Sequence, residues 1–264
     1  MSSYNKPMSP CKKTTPPYND EFTTKMTPDD LPVEEQEALV ARWQKVCDEV
    51  KAASSSTKNT DKAVTLLAVS KTKPTAMIAT LARAGQRDFG ENYLQEALEK
   101  ITEIKQSEVG ESVVWHYIGH IQRNKTRDIA EHFDWVHTIE REIVAKRLQE
   151  QRPEHLPALN VLIQVNIDDE NSKSGCQPSE LSELIAAIKP YDKLQLRGLM
   201  IIPAKEDSDA FTRTKQLFKD MQSQHPDLTQ WDTLSMGMSG DMEEAIAAGS
   251  TMVRVGTAIF GSRD

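Results

Sequence analysis

Eight short runs rich in β-branched and aromatic residues recur between positions 64 and 257, with helix-like stretches between them, and this alternation constrains the fold more than any other feature of the 264-residue chain. The runs are VTLLAVS (64–70), RDFG (87–90), SVVWHYIG (112–119), DWVHTI (134–139), LNVLIQVNI (159–167), QLRGLMII (195–202), DTLSMG (232–237) and TMVRVGT (251–257). Strands that alternate with helices pair in parallel through crossovers, so the pattern predicts one α/β domain. Eight strands fit a single (β/α)8 TIM barrel with a leading N-terminal helix, and a doubly wound open sheet is the alternative. The chain ends within ten residues of the eighth run, which leaves little room for a closing helix. The leading helix, with Leu39, Trp43, Val46 and Val50 at helical spacing, can fill that place.

Residues 1–33 are rich in Pro, Ser, Thr and charge, with too few core-sized side chains to offset chain ordering, and read as a disordered tail ahead of a barrel at 34–264. No internal repeat is visible. A net charge of -8 excludes a general basic field for nucleic acid or an anionic membrane. No run approaches the roughly 18 apolar residues of a membrane-spanning helix. Cys11, Cys47 and Cys176 are odd in number and far apart, which fits neither a disulfide framework nor paired zinc ligands and points to a reducing, cytoplasmic setting.

Barrel chemistry gathers at the C-terminal ends of the strands, and phosphate often binds in the loops after strands 7 and 8. Lys71 ends the first run, Asn92 follows the second, and Met200 is late in the sixth. GMSGDMEEAI places small residues and a hydroxyl before a helix, where free N–H groups and the helix dipole can hold an anion. Ser239, Gly256 and Thr257 can therefore form a phosphate cup, although Ser239 or Asp241 can equally act as a plain helix cap. Arg254 shares the strand face of Gly256 and either sits at the barrel mouth or pairs with a carboxylate in the rim. Lys71 follows Leu67 and Val69 on one face. Most strand-end lysines are solvated, but one emerging from an apolar wall has a lowered pKa and can form a Schiff base with an aldehyde. A phosphate cup and such a lysine on one rim suggest pyridoxal 5'-phosphate (PLP), or a sugar phosphate in a class I aldolase.

With these residues in place, the motifs LLAVSKTKP, AGQRDFGENYLQEA, WHYIGHIQRNK, HTIEREIVAKRL, VLIQVNIDDENSKSG, LRGLMIIPA and LSMGMSGDMEEAIAAGSTMVRVGTAIFG, in order from 66 to 261, resemble the YggS/PROSC family of pyridoxal phosphate homeostasis proteins. The resemblance implies a barrel like the N-terminal domain of alanine racemase, with PLP as a Schiff base on Lys71. It implies phosphate contacts from Ser239, Gly256 and Thr257, Arg254 facing the pyridine nitrogen, and Asn92, Met200 and Ser235 lining the pocket. It further implies a role in buffering, carrying or sensing PLP in vitamin B6 and amino-acid homeostasis, with no catalytic residues and no defined turnover. Transient contact with PLP-dependent apoenzymes is the partner expectation. The racemases carry a second, β-rich domain with a catalytic tyrosine that has no counterpart in this sequence, so a monomer is expected. A racemase-like enzyme acting from the barrel alone is the alternative.

His116 and His120 straddle Gly119 at a strand end, which spoils zinc geometry, and the other histidines are scattered, so no metal is expected. HIQRNKTR is too small a basic cluster for strong backbone-phosphate affinity. No dinucleotide or P-loop fingerprint occurs.

Overall fold

A parallel sheet is buried on both faces, and the runs rich in Val, Ile and Leu form one here. The computed structural model describes residues 30–57, 63–168, 174–204, 207 and 209–262. Its strands are β1 (Thr65–Val69), β2 (Asp88–Glu91), β3 (Val114–Tyr117), β4 (Trp135–Ile139), β5 (Leu159–Gln164), β6 (Leu194–Met200), β7 (Thr233–Met238) and β8 (Met252–Val255). They pair in sequence order, and β8 closes on β1 in parallel, so the sheet is a closed barrel and the open-sheet alternative falls.

Helices α1 (Val33–Ser56), α2 (Thr75–Ala84), α3 (Leu94–Lys105), α4 (Thr126–His132), α5 (Glu142–Gln151), α6 (Leu181–Ile188), α7 (Ala210–Gln224), α8 (Met242–Ala247) and α9 (Thr257–Phe260) are the α-helices among the described residues. The outward strand residues pack beneath the helices in the main core, while Trp135, Leu162 and Met200 form a separate apolar cluster inside the barrel. As the spacing predicts, α1 buries Leu39, Trp43, Val46 and Val50. It packs against α2, α8 and α9, with Arg42 Nε donating to the Ile259 carbonyl at 2.8 Å and Trp43 Nε1 to Gln86 Oε1 at 2.8 Å. The leading helix thus covers the gap beside α9, which is only four residues long.

The expected disordered tail lies outside the described residues up to position 29. The last residues of that stretch are described: Asp30 pairs with Arg83 at 3.2 Å and Leu31 packs on the core. Strands are also shorter than their apolar runs. The third run loses both ends, because Gly110–Ser112 form a 3-10 turn and Gly119 lies so near the Asn92 carbonyl that an added Cβ would sit 2.1 Å from its oxygen. The fifth run leaves the barrel after Gln164 and continues only as the isolated bridge Val165–Cys176.

Candidate functional site

At the C-terminal mouth, the β1 face of Leu67 and Val69 leads to Lys71, the first residue of the turn after the strand and half-buried. The carbonyl of Val69 lies 3.3 Å from where a Gly256 Cβ would be, so the ends of β1 and β8 meet closely.

The turn that carries Lys71 is fastened from behind. Ser70 Oγ donates to Glu91 Oε1 at 2.6 Å, and Lys100 Nζ donates to the Ser70 carbonyl at 2.8 Å. The same ammonium lies 2.9 Å from Glu91 Oε1 and 2.5 Å from Glu96 Oε1, and Glu96 Oε1 accepts the Thr72 N–H at 2.5 Å. Burial pushes the Glu91 carboxyl up, opposed by the Lys100 charge and the Ser70 hydroxyl. Thr72 has φ 63°, a left-handed conformation that strains a β-branched residue. These bonds hold the Lys71 turn in place against that strain.

Arg254 is buried on β8. Its Nη1 donates to the Ser235 carbonyl at 2.7 Å and to Ser235 Oγ at 2.8 Å, and its Nη2 donates to the Ile201 carbonyl at 2.8 Å. Three of the five guanidinium N–H groups are thereby engaged, which leaves two. Burial pushes the group down to about 10, with Asp241 acting against the shift, so it stays a cation at neutral pH. The expected alternative of a rim ion pair does not occur among the described residues.

Ser239 and Gly240 are exposed in the loop after β7, and Thr257 is exposed at the start of α9. Among the described residues no protein acceptor takes the N–H of Ser239 or Gly240, and the hydroxyls of Ser239 and Thr257 are unengaged. Ser239 is not the helix cap. Asp241 occupies the cap position of α8, but its carboxylate turns back to accept the Met238 N–H at 2.5 Å. The helices behind this loop have six and four residues, so local N–H groups rather than a long macrodipole would hold an anion.

Asn92 follows β2 at the same mouth, half-buried, with Oδ1 buried and lacking a hydrogen-bond partner. Met200, the last residue of β6, is buried inside the barrel. The structure therefore brings Ser235 and Arg254 into direct contact and sets Lys71, Asn92, Met200, Ser239, Gly256 and Thr257 at the ends of five strands around them.

Sequence reasoning missed His137, which is wholly buried beneath Ser235 and bonded to His116 and Ser235. Its position two residues after the inward Trp135 was the available signal. It also missed the Glu91–Lys100 pair, which β2 and α3 bring together.

The model of the family described as alanine racemase, N-terminal domain, matches residues 43–264. The chain is 54% identical over 224 residues to the pyridoxal phosphate homeostasis protein of Escherichia coli (strain K12), covering 83% of this chain and 94% of that one. It is 49% identical over 225 residues to the protein of the same name from Pseudomonas aeruginosa, covering 83% and 94%. Among solved structures, PipY of Synechococcus elongatus PCC7942, with PLP bound, superposes with a TM-score of 0.72 at 31% identity, covering 84% of this chain and all of that one. Alanine racemase from Corynebacterium glutamicum shares the fold at a TM-score of 0.62 and 17% identity, with 86% of this chain on 61% of that one.

Proposed function

The chain belongs to the family of pyridoxal phosphate homeostasis proteins, and from that membership we propose that it holds PLP at the C-terminal mouth of the barrel and buffers, carries or senses it. The observation that carries this reading is Arg254: a buried cation with no carboxylate partner among the described residues, two N–H groups to spare, and Lys71 and the Ser239–Gly240 donors on the same mouth. That donor set fits the group. An unprotonated pyridine nitrogen accepts from a guanidinium, a phosphate accepts from exposed N–H and hydroxyl groups, and the partnerless Asn92 Oδ1 offers an acceptor on the same mouth.

When bound, PLP supplies an electrophilic aldehyde for a lysine amine and a ring whose electron demand depends on ring protonation. Lys71 would hold it covalently, Ser239, Gly256 and Thr257 would hold its phosphate, and Asn92, Met200 and Ser235 would line the pocket. Arg254 disfavours a proton on the ring nitrogen, which makes the site suited to retention more than to carbanion chemistry. Tyr117, the barrel tyrosine nearest a strand end, packs edge-on against Phe133 and donates its hydroxyl to the His120 carbonyl at 3.1 Å. Its ring belongs to the core between strands and helices. We therefore read the protein as having no defined turnover.

The rim exposes Tyr93 after β2, Ile202 after β6 and Met238 at the end of β7, apolar side chains suited to transient contact with PLP-dependent apoenzymes. A cytoplasmic monomer completes the proposal; among the described residues no helix is long and apolar enough to cross a membrane.

The test is a PLP titration of the purified protein with parallel assays of amino-acid α-hydrogen exchange in heavy water. Saturable uptake that Lys71→Ala abolishes, with exchange no faster than free PLP gives, supports the reading. Exchange well above that background would replace it with the racemase-like alternative.

A further inference from the structure

Below the mouth, a file of polar side chains crosses the barrel interior. Ser235 Oγ on β7 lies 3.1 Å from His137 Nδ1 on β4. His137 Nε2 lies 2.9 Å from His116 Nδ1 on β3. His116 Nε2 lies 3.0 Å from Asp88 Oδ1 at the start of β2. Both imidazoles are fully buried. His116 stacks on Trp135 with ring centroids 5.3 Å apart, and the Arg197 guanidinium sits 4.7 Å over that indole.

The chemistry of the two ends fixes the direction of the whole file. Arg254 can only donate, so Ser235 Oγ accepts from it and keeps its own proton free for His137 Nδ1. His137 must then carry its proton on Nε2 and donate to His116 Nδ1. His116 carries its proton on Nε2 in turn and donates to the Asp88 carboxylate. Each donor meets an acceptor only if both histidines are neutral. The reverse arrangement needs a His116 imidazolium beside the enclosed Arg254 cation, and it strands the Ser235 proton. Burial above all, with His116 and Arg254 adding to it, holds His137 well below its ordinary 6.5, which agrees with a neutral His137.

We propose that His137 and His116 are positioning residues for the cofactor ring: the one-way chain Arg254, Ser235, His137, His116, Asp88 turns the Ser235 hydroxyl away from the pocket and keeps it an acceptor, so that the guanidinium is pinned with its spare N–H groups toward the ring nitrogen. The inference rests on the PLP reading above for the identity of the ring, while the direction of the chain is a property of the protein alone.

The experiment has two parts that fail separately. Long-range ¹H–¹⁵N correlation of the histidine rings in the protein without added PLP, at neutral pH, is expected to show His116 and His137 as neutral Nε2–H tautomers. An Nδ1–H tautomer or an imidazolium at either position overturns the proposal, whatever the protein binds. PLP affinity and the absorbance band of the bound form are then compared for wild type, His137→Leu and His137→Gln. Leucine, which can neither accept from Ser235 nor donate to His116, is expected to weaken binding about tenfold and to shift the band, as suits loss of the Ser235 bond that leads to Arg254. Glutamine, whose amide can do both, is expected to restore affinity and band to near wild type. Wild-type affinity and an unshifted band in His137→Leu overturn the proposal and leave the PLP reading intact. Failure of the wild type to take up PLP overturns that reading and, with it, the role assigned to the chain. Melting curves of the three proteins without PLP show whether the leucine variant is folded. If it is not, His116→Leu against wild type gives the same comparison, because leucine there can neither accept from His137 nor donate to Asp88, and an unchanged band again overturns the proposal.

Discussion

Lys100 is expected to be among the most sensitive positions outside the pocket, and Lys100→Met tests why the Lys71 turn stays where it is. The Lys100 side chain is only 6% exposed and that of Glu91 is 0% exposed, so solvent cannot take over for a missing partner. Removing the ammonium strands the Glu91 carboxylate, whose Oε2 already lacks a hydrogen-bond partner, and leaves the Ser70 carbonyl and Glu96 without their common donor. Breaking one side of a buried pair costs about 3–5 kcal/mol. At about 2–4 °C per kcal/mol for a domain of this size, Tm should fall by roughly 10 °C. The double variant Lys100→Met/Glu91→Leu removes both charges and should recover most of that loss, because a buried pair exchanged for apolar groups is often nearly neutral. Urea unfolding of the four members of the cycle gives the coupling directly. A single variant within about 1 kcal/mol of wild type, or a double variant no better than the single, would show that the network does not hold the turn.

Three further outcomes follow from the same geometry. In Gly119→Ala the new Cβ would sit 2.1 Å from the Asn92 oxygen, so Asn92 must move; PLP uptake should weaken and Tm should drop, and a variant with unchanged titration and melting would contradict the close approach. Thr72→Gly relieves the φ 63° strain and should raise stability by up to about 1 kcal/mol in equilibrium unfolding, whereas a loss would mean that the conformation is not strained. The fold holds His137 neutral while the unfolded chain protonates near 6.5, so the unfolded state gains a proton as pH falls below that value. Stability should therefore decline from pH 6.5 downward by up to about 1.4 kcal/mol per pH unit from this one group, and His137→Gln should flatten that decline in unfolding curves taken from pH 7 to 5.

The barrel, and the placement of the candidate site residues at strand ends, were legible because both are written in periodic or local signals. Alternating runs give the strands, and a lysine, a small-residue turn and an arginine at strand ends give the mouth. The interior was less legible. His137 reads from sequence as one more scattered histidine, since nothing local shows that β4 faces it across the barrel to Ser235 on β7. Lys100 reads as an ordinary charged position on an amphipathic helix, and only the packing of α3 on β2 and the turn after β1 buries it. Asp241 stands at the predicted cap position, yet its carboxylate serves the Met238 N–H, a choice set by loop conformation and not by residue type. The third and fifth strands ended early for the same kind of reason: a close backbone approach at Gly119 and the departure of the chain after Gln164 outweigh apolar runs that continue past them.

The most direct test of the central claim is to load the purified protein with PLP, reduce it with borohydride, and map the modified peptide by mass. The account predicts a visible band that borohydride bleaches, with the stable adduct on Lys71 and no other lysine carrying a comparable share. A protein that takes up no PLP, or an adduct spread over surface lysines with Lys71 unmodified, would contradict it.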